Sequence, residues 1–362
     1  MILFITRKYP PSIGGAQKFS YDFAVHVGKL THLEVVAWGR SNLGLPIFLM
    51  YALFYAIYLI QRKNVRLVHL GDGLLSPLGV VLKLLYQIPI TITVLGLDVT
   101  YSNRIYQWII PKCLKKLDKV FCISQETKGE CISRNILKDK VIVIPIGISH
   151  EDFYLQTSKE ELLEILSQKL NMDLVHKEIL LSVGRLVERK GFHWFLEKVI
   201  PPLIEKKGEE ILYVIAGEGP FEGRMKEVIR AKGLENYVRL LGKVNAQDLK
   251  LLYHAADVFV MPNIPVEGNI EGFGIVVLEA ATCGLPVVAS NLEGIKDAIQ
   301  NGENGLLVEP FDAEGYIATI LGLLKDEDRR EAFGKRASEY TNQYYHWGVI
   351  SKRYYREFDK MW

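Results

Sequence analysis

Two short stretches concentrate the residue types that handle phosphate and hydroxyl groups. After the apolar run LLSVG the chain reads Arg185, Leu186, Val187, Glu188, Arg189, Lys190, Gly191, which places three cations within six residues where a strand gives way to a helix. A pyrophosphate suits that arrangement. A guanidinium grips its oxygens through two N–H bonds, an ammonium adds a compact charge, and a helix start supplies unpaired N–H groups. A solvated basic loop has the same composition, so the cluster alone leaves both readings open. The second stretch, EGFGIVVLEA, sets Glu271 and Glu279 eight residues apart around Phe273 and Gly274. With a helix starting near Gly274, Glu279 falls in its second turn and Glu271 ahead of it. The two carboxylates then address different parts of one elongated ligand, one of them paired ribose hydroxyls and the other sugar hydroxyls, while the N–H groups of Phe273 and Gly274 hold a further polar group. Glu271 by itself would equally serve to complement a helix dipole.

Glycine marks further candidate turns. Gly14 and Gly15 precede a helical pattern whose first N–H groups face an anion or a hydroxylated substrate. Gly217, Glu218, Gly219 and Pro220 follow ILYVIA and begin like a dinucleotide fingerprint, but the third glycine falls at Gly223 and no acidic residue ends a strand at the required distance, which counts against a nicotinamide enzyme. No GxxxxGK[ST] run supports a Walker-type ATPase, and no divalent-metal site is expected. Cys113, Cys122, Cys131 and Cys283 form no CxxC pair, and Met1 opens directly into ILFIT without a cleavage site, so the expectation is a reducing, cytoplasmic environment. His69 in VHLGDG and Asp98 in VLGLD stand at strand ends, where ligands gather in open α/β sheets. For His69 a backbone-bonded strand-end histidine is the alternative. His193 reads as a helix-start residue rather than a catalyst.

These residues need positioning elements, and the pattern supplies them. Short β-rich runs (ILFIT, LEVVAW, VRLVHL, ITITVL, KVFCIS, VIVIPIGI) alternate with helical stretches, and the rhythm restarts with EILLSVG, ILYVIAG, VRLLG, VFVMP, PVVAS and GLLVEP. The expected fold is α/β, with two Rossmann-like, doubly wound domains: residues 1–152, and residues 153–340. The segment from about 341 to 362 carries Tyr344, Tyr345, Trp347, Tyr354, Tyr355, Phe358 and Trp362, more aromatics than a helix facing only water holds, and is expected to dock back on the first domain. With 362 residues, 49% apolar and 24% charged, the chain can build two cores, and disorder or a disulfide-stapled miniprotein is excluded. The net charge of +2 gives no reason to expect nucleic-acid binding. It hides an asymmetry: residues 1–150 hold 18 Lys/Arg against 8 Asp/Glu, and the remainder 26 against 34.

GRLVERKG, followed about 80 residues later by EGFGIVVLEA and CGLPVVAS, resembles the donor domain of the retaining family 4 glycosyltransferases, a group that includes bacterial phosphatidylinositol mannosyltransferases and has the GT-B fold, two domains facing across a cleft. GGAQ, VIPIGI, GEGP and NGENGLLVEP fall in the expected order, so the likeness spans nearly the whole chain. The resemblance implies that Arg185 and Lys190 bind the donor diphosphate, Glu279 the ribose hydroxyls, and Glu271 with Phe273 and Gly274 the transferred sugar. By the same resemblance Gly15 and Gly14 belong to the loop beside diphosphate and acceptor, Gly217 and Gly219 line the nucleotide side, and Leu241 to Val244 flank the base. The family often carries His where this chain has Leu95, and Asp98 or His69 is the nearest substitute on the acceptor side.

The expected reaction is a metal-independent transfer of a hexose from a UDP- or GDP-linked donor, with no cofactor, in which the cations stabilise the leaving pyrophosphate. The acceptor is expected to be a lipid-linked or cell-envelope glycan. RIYQWIIPKCLKKLDK, residues 104–119, mixes Trp108 and isoleucines with Lys112, Lys115, Lys116 and Lys119, as peripheral binding to an anionic membrane surface requires, though an ordinary solvated helix has this composition too. The apolar run from Leu43 to Ile60 reads as a helix buried on most sides. A GT-B sugar-nucleotide epimerase, or a binding subunit without turnover, are the competing readings. The first needs acid and base side chains converging on the sugar, which the sequence does not show.

Overall fold

Parallel strands buried on both faces read as continuous β-branched runs, and every such run becomes a strand. The computed structural model describes residues 1–12, 14–40 and 42–362, and among these it contains twelve strands in two six-stranded, all-parallel sheets. The first holds β1 (Ile2–Thr6), β2 (Leu33–Ala37), β3 (Leu67–Leu70), β4 (Ile90–Val94), β5 (Lys119–Cys122) and β6 (Val141–Val143), in the order β2-β1-β3-β4-β5-β6. The second holds β7 (Glu178–Val183), β8 (Ile211–Ala216), β9 (Val238–Gly242), β10 (Val258–Met261), β11 (Val287–Ser290) and β12 (Leu306–Val308), in the order β12-β11-β10-β7-β8-β9. In each sheet the chain starts in the interior and then works outward in both directions. The order therefore reverses between β1 and β3 and between β7 and β10, and these are the points where a ligand can reach the carboxyl ends of the strands.

The chain divides into two compact units. The first comprises Met1–Gly147, Gly268–Phe273 and Tyr345–Trp362, and the second Ile148–Glu267 and Gly274–Tyr344. The segment Gly268–Phe273 thus groups with the first unit, whereas the sequence reading placed it in 153–340. The close approach of Gly272 accounts for this: a Cβ there would lie 2.5 Å from the carbonyl oxygen of Leu95.

In the first unit, alternate strand residues serve two different cores. Leu3, Ile5, Val36, Val68, Leu70 and Ile92 pack against the helices Leu45–Arg62, Ser76–Leu85 and Arg104–Leu114. The other set meets an aromatic layer. Phe4 contacts Phe23 from the helix Gly15–Gly28, and Phe121 contacts Tyr354 and Phe358 from the helix Trp347–Asp359. That last helix begins at His346, whose Nδ1 accepts from the N–H of Gly348 at 3.0 Å, and it buries Trp347, Ile350, Tyr354 and Phe358 along one stripe.

The structure corrects two expectations. His69 lies inside this aromatic layer, fully buried. Its ring stacks on Phe23 at 4.8 Å, Nδ1 lies 2.8 Å from Thr91 Oγ1, and Nε2 lies 3.1 Å from Thr93 Oγ1. Burial pushes its pKa down to about 3, so the imidazole is neutral and both nitrogens are occupied. It is a core histidine and is removed from the acceptor-side residues. The helix Leu45–Arg62 is also not buried on most sides. It packs Phe48, Ala52, Ala56 and Leu59 on the sheet and leaves Ile47, Met50, Tyr51, Phe54 and Tyr58 exposed.

Candidate functional site

In the second unit the exits of β7, β8 and β9 are laced together by backbone hydrogen bonds. The N–H of Gly184 donates to Ala216 O at 3.0 Å, that of Leu186 to Glu218 O at 2.9 Å, and that of Gly217 to Gly242 O at 2.8 Å. Such lacing leaves no room for side chains. A Cβ on Gly217 would stand 1.9 Å from the carbonyl oxygen of Gly184, and one on Gly219 would stand 2.3 Å from that of Leu186. The local reason for this glycine pair is therefore backbone crossing at the strand ends, which gives the loop a fixed shape. Leu241 is the penultimate residue of β9, Gly242 ends the strand with φ 65°, and Val244 lies two residues beyond; the Leu241 and Val244 side chains are half-buried.

The cationic loop after β7 is held just as firmly. A short helical turn, Glu188–Lys190, ends at Gly191 in the left-handed region, with φ 65°. The N–H of Ile264 donates to Arg189 O at 2.9 Å, and a Cβ on Gly191 would lie 1.9 Å from Pro262 O. The loop is thereby fastened to the exit of β10, across the switch point. Lys190 is 5% exposed, and its stem runs past Gly184, with Cε 3.3 Å from where a Cβ on that glycine would sit. Arg185 is exposed. A lysine ammonium is seldom buried at a loop, and its position at a switch point is what a bound anion calls for.

After β10 the chain reaches Gly274, left-handed with φ 76°, which starts the helix Ile275–Thr282. Glu279 lies within that helix, as the sequence implied, and Glu271 ahead of it. The surroundings of Glu279 are apolar: Val277, Leu278, Ala280 and Ala281 are all buried. A carboxylate there needs partners. One is Tyr253 from the helix Ala246–Ala255, whose hydroxyl donates to Glu279 Oε2 at 2.9 Å. Burial, with the carboxylate beside it, holds the Tyr253 phenol well above its usual pKa, so it remains a donor. Sequence reasoning missed Tyr253. Its only signal was the lone carboxylate in IVVLEAAT, which demands a partner without saying which.

The remaining predicted residues belong to the first unit. Gly14, with φ 152°, precedes the helix Gly15–Gly28, and a Cβ on Gly15 would meet nothing within 4 Å, so this helix start is open. Asp98, half-buried, accepts from the N–H groups of Leu95 at 2.7 Å and Gly73 at 2.9 Å, tying the exits of β4 and β3 together. Burial raises its pKa to about 6, against the pull of those two N–H groups, and the nearby Asp72 adds to the rise. Asp72 in turn accepts from Arg7 Nε at 2.9 Å and from the N–H of Leu74 at 3.0 Å. This Arg7–Asp72 pair at the β1/β3 switch point was not anticipated. Glu271 and Phe273 are buried in the segment that groups with this unit.

Both units match known protein families. Residues 167–340 match the family model of glycosyl transferases group 1, and residues 4–152 match that of glycosyltransferase family 4. The chain is 28% identical over 322 residues to the uncharacterized glycosyltransferase MJ1607 of Methanocaldococcus jannaschii, covering 85% of this chain and 80% of that one. It is 29% identical over 183 residues to a GDP-mannose-dependent alpha-(1-6)-phosphatidylinositol monomannoside mannosyltransferase of Mycobacterium tuberculosis, covering 50% of this chain and 47% of that one. The fold is shared with Anabaena Alr3699/HepE in complex with UDP-glucose, with a TM-score of 0.77 at 18% identity over 99% of both chains.

Proposed function

The chain is a GT-B glycosyltransferase of the family 4 type, and from that membership we propose that it moves a hexose from a UDP- or GDP-linked donor to a lipid-linked or cell-envelope glycan with retention of anomeric configuration. The observation that carries the donor assignment is that one unit holds both a nearly buried Lys190, on the loop after β7, and a buried Glu279, on the helix Ile275–Thr282 that follows β10, the two strands that meet at its switch point. Lys190 with Arg185 holds the two phosphates, and Glu279 takes the ribose hydroxyls. Gly217, Gly219, Leu241 and Val244 shape the nucleotide side, while Gly274 with Glu271 and Phe273 attends the sugar. As the bond from the anomeric carbon to the phosphate oxygen breaks, negative charge grows on the pyrophosphate, and the two cations take the place of a metal in stabilising it. The acceptor oxygen bonds to that carbon from the same face and passes its proton to the departing phosphate oxygen, so no enzyme base is needed. Gly14, Gly15 and Asp98 lie on the acceptor side. The basic helix Arg104–Leu114 draws the first unit to an anionic lipid surface.

Thermal unfolding with a panel of nucleoside diphosphates tests the donor assignment: one of UDP and GDP at 100 times its Kd stabilises the protein by roughly 2.7 kcal/mol. No shift with any of them would overturn it. Tyr253→Phe, which leaves Glu279 without that donor, is expected to raise the donor KM by roughly fivefold, the worth of about 1 kcal/mol, with kcat nearly unchanged. It also narrows the preference for the ribonucleotide over its 2′-deoxy analogue, which a mere packing defect would not do.

A further inference from the structure

The three neighbouring helices on one side of the first sheet turn an unusual face outward. On Leu45–Arg62 the large apolar residues Ile47, Met50, Tyr51, Phe54 and Tyr58 recur at steps of three and four, hence along a single stripe, and that stripe is the exposed one, with Ile47 at 73% and Phe54 at 61%. The inward stripe includes the small residues Ala52 and Ala56. The adjoining helix Ser76–Leu85 adds Val81, Leu84 and Leu85, all exposed, and Arg104–Leu114, packed on that helix in turn, adds Ile105 and Trp108. A helix that only covers a sheet in water keeps such residues inside.

The charges around this face identify what covers it. None of the three helices contains an Asp or Glu. Between Glu34 and Asp118 the sequence has only Asp72 and Asp98, one buried against Arg7 and the other half-buried on backbone N–H groups; the two bounding acids do reach these helices, Glu34 bonding to Tyr55 and Asp118 pairing with Lys83, and so are already engaged. Arg62, Lys63 and Arg66 stand at the end of the first helix, and Lys112 lies over the Trp108 ring at 4.1 Å. Tyr51, Tyr55 and Tyr58 form a row of stacked rings, centroids 5.5 Å and 6.2 Å apart, each with an apolar body and a polar tip as suits a lipid headgroup boundary.

We propose that the outer face of the helices Leu45–Arg62 and Ser76–Leu85 is a membrane-insertion surface that lies in the plane of an anionic lipid interface, its apolar stripe among the acyl chains and its cationic rim on the headgroups. The charge pattern argues against a second copy of the chain as the occupant, because a two-fold contact through this face would set basic rim against basic rim. The inward residues argue against a transmembrane span: Phe48, Ala52, Ala56 and Leu59 are part of the sheet's core and would be stripped from it. The inference deepens the membrane part of the proposed function and is independent of the transfer reaction. There the basic helix supplies salt-sensitive attraction, whereas here burial of side chains supplies a salt-resistant one.

Flotation with vesicles of phosphatidylglycerol and phosphatidylcholine in equal parts tests it. The wild-type chain floats at low salt and keeps a large share of its binding at high salt. Ile47→Glu with Phe54→Glu, both at exposed positions, abolishes flotation at high salt and leaves only a weakened, salt-sensitive binding at low salt, with an unchanged thermal melt, while Lys112→Glu with Lys116→Glu lowers only the low-salt binding. Flotation of the Ile47/Phe54 variant at the wild-type level overturns the proposal. So does failure of the wild type to float, or a wild-type dimer by light scattering that the variant dissolves. Stabilisation by nucleoside diphosphate, measured on the same variants, is unaffected by any of these outcomes, so failure of the insertion face is distinguishable from failure of the donor site.

Discussion

Lys190→Ala is expected to lower the rate of sugar transfer by on the order of 10²-fold or more. The basis is geometric. The ammonium stem passes the bare α-carbon of Gly184, the loop is fastened to the exit of β10 by the Arg189 carbonyl, and the bare α-carbon of Gly191 packs against Pro262 O. The charge is held in place before the reaction, in a nearly buried position where its field is weakly screened. Lys190→Arg restores only part of the activity, since a planar guanidinium is bulkier than the ammonium it replaces in a nearly buried position close against Gly184. The measurement is release of nucleoside diphosphate in the presence of acceptor, with circular dichroism to show that the fold is kept. Wild-type rates for Lys190→Ala and Glu271→Ala together would sink the assignment of this site.

The second large effect concerns the helix Trp347–Asp359. Trp347→Ala is expected to cost the first unit about 3–5 kcal/mol. The indole is fully buried, stacked on His26 at 5.6 Å and beside Phe19 at 5.9 Å, and a Cβ on Gly147 would come within 2.6 Å of it. Its Nε1 has no hydrogen-bond partner in the described structure, so the whole loss is packing, and Trp347→Phe loses less. Urea unfolding followed by a probe in each unit shows the first transition moved to lower denaturant and the second left in place. Coincident, unshifted transitions would contradict the packing account.

The strands were the most readable part of the molecule, because a fully buried parallel strand must be an uninterrupted β-branched run, as ILFIT and EILLSV are. The start of the helix Ile275–Thr282 was also readable from the Phe-Gly turn, and with it the place of Glu279. Other features depend on partners far along the chain. Nothing in VHLGDG distinguishes a ligand-facing histidine from one capped by Thr91 and Thr93 on the next strand. The bond from Tyr253 joins residues 26 positions apart on two helices. For LPIFLMYALFYAIYLI composition fixed the helix but not its burial: apolar residues fall on every side, and only the one-sided contact with the sheet decides that Ala52 and Ala56 go in while Phe54 and Tyr58 stay out.

The helix that completes the aromatic layer around Phe4, Phe23 and His69 comes after the entire second unit in the chain. On the ribosome, the earlier part of the first unit therefore emerges with that layer bare, and it stays so until about two hundred further residues have been made, some 10–40 s at ordinary elongation rates. During that interval Phe4, Phe19 and Phe23 are available to chaperones and to neighbouring nascent chains, which makes synthesis at high density the circumstance in which this protein is most exposed to misassembly.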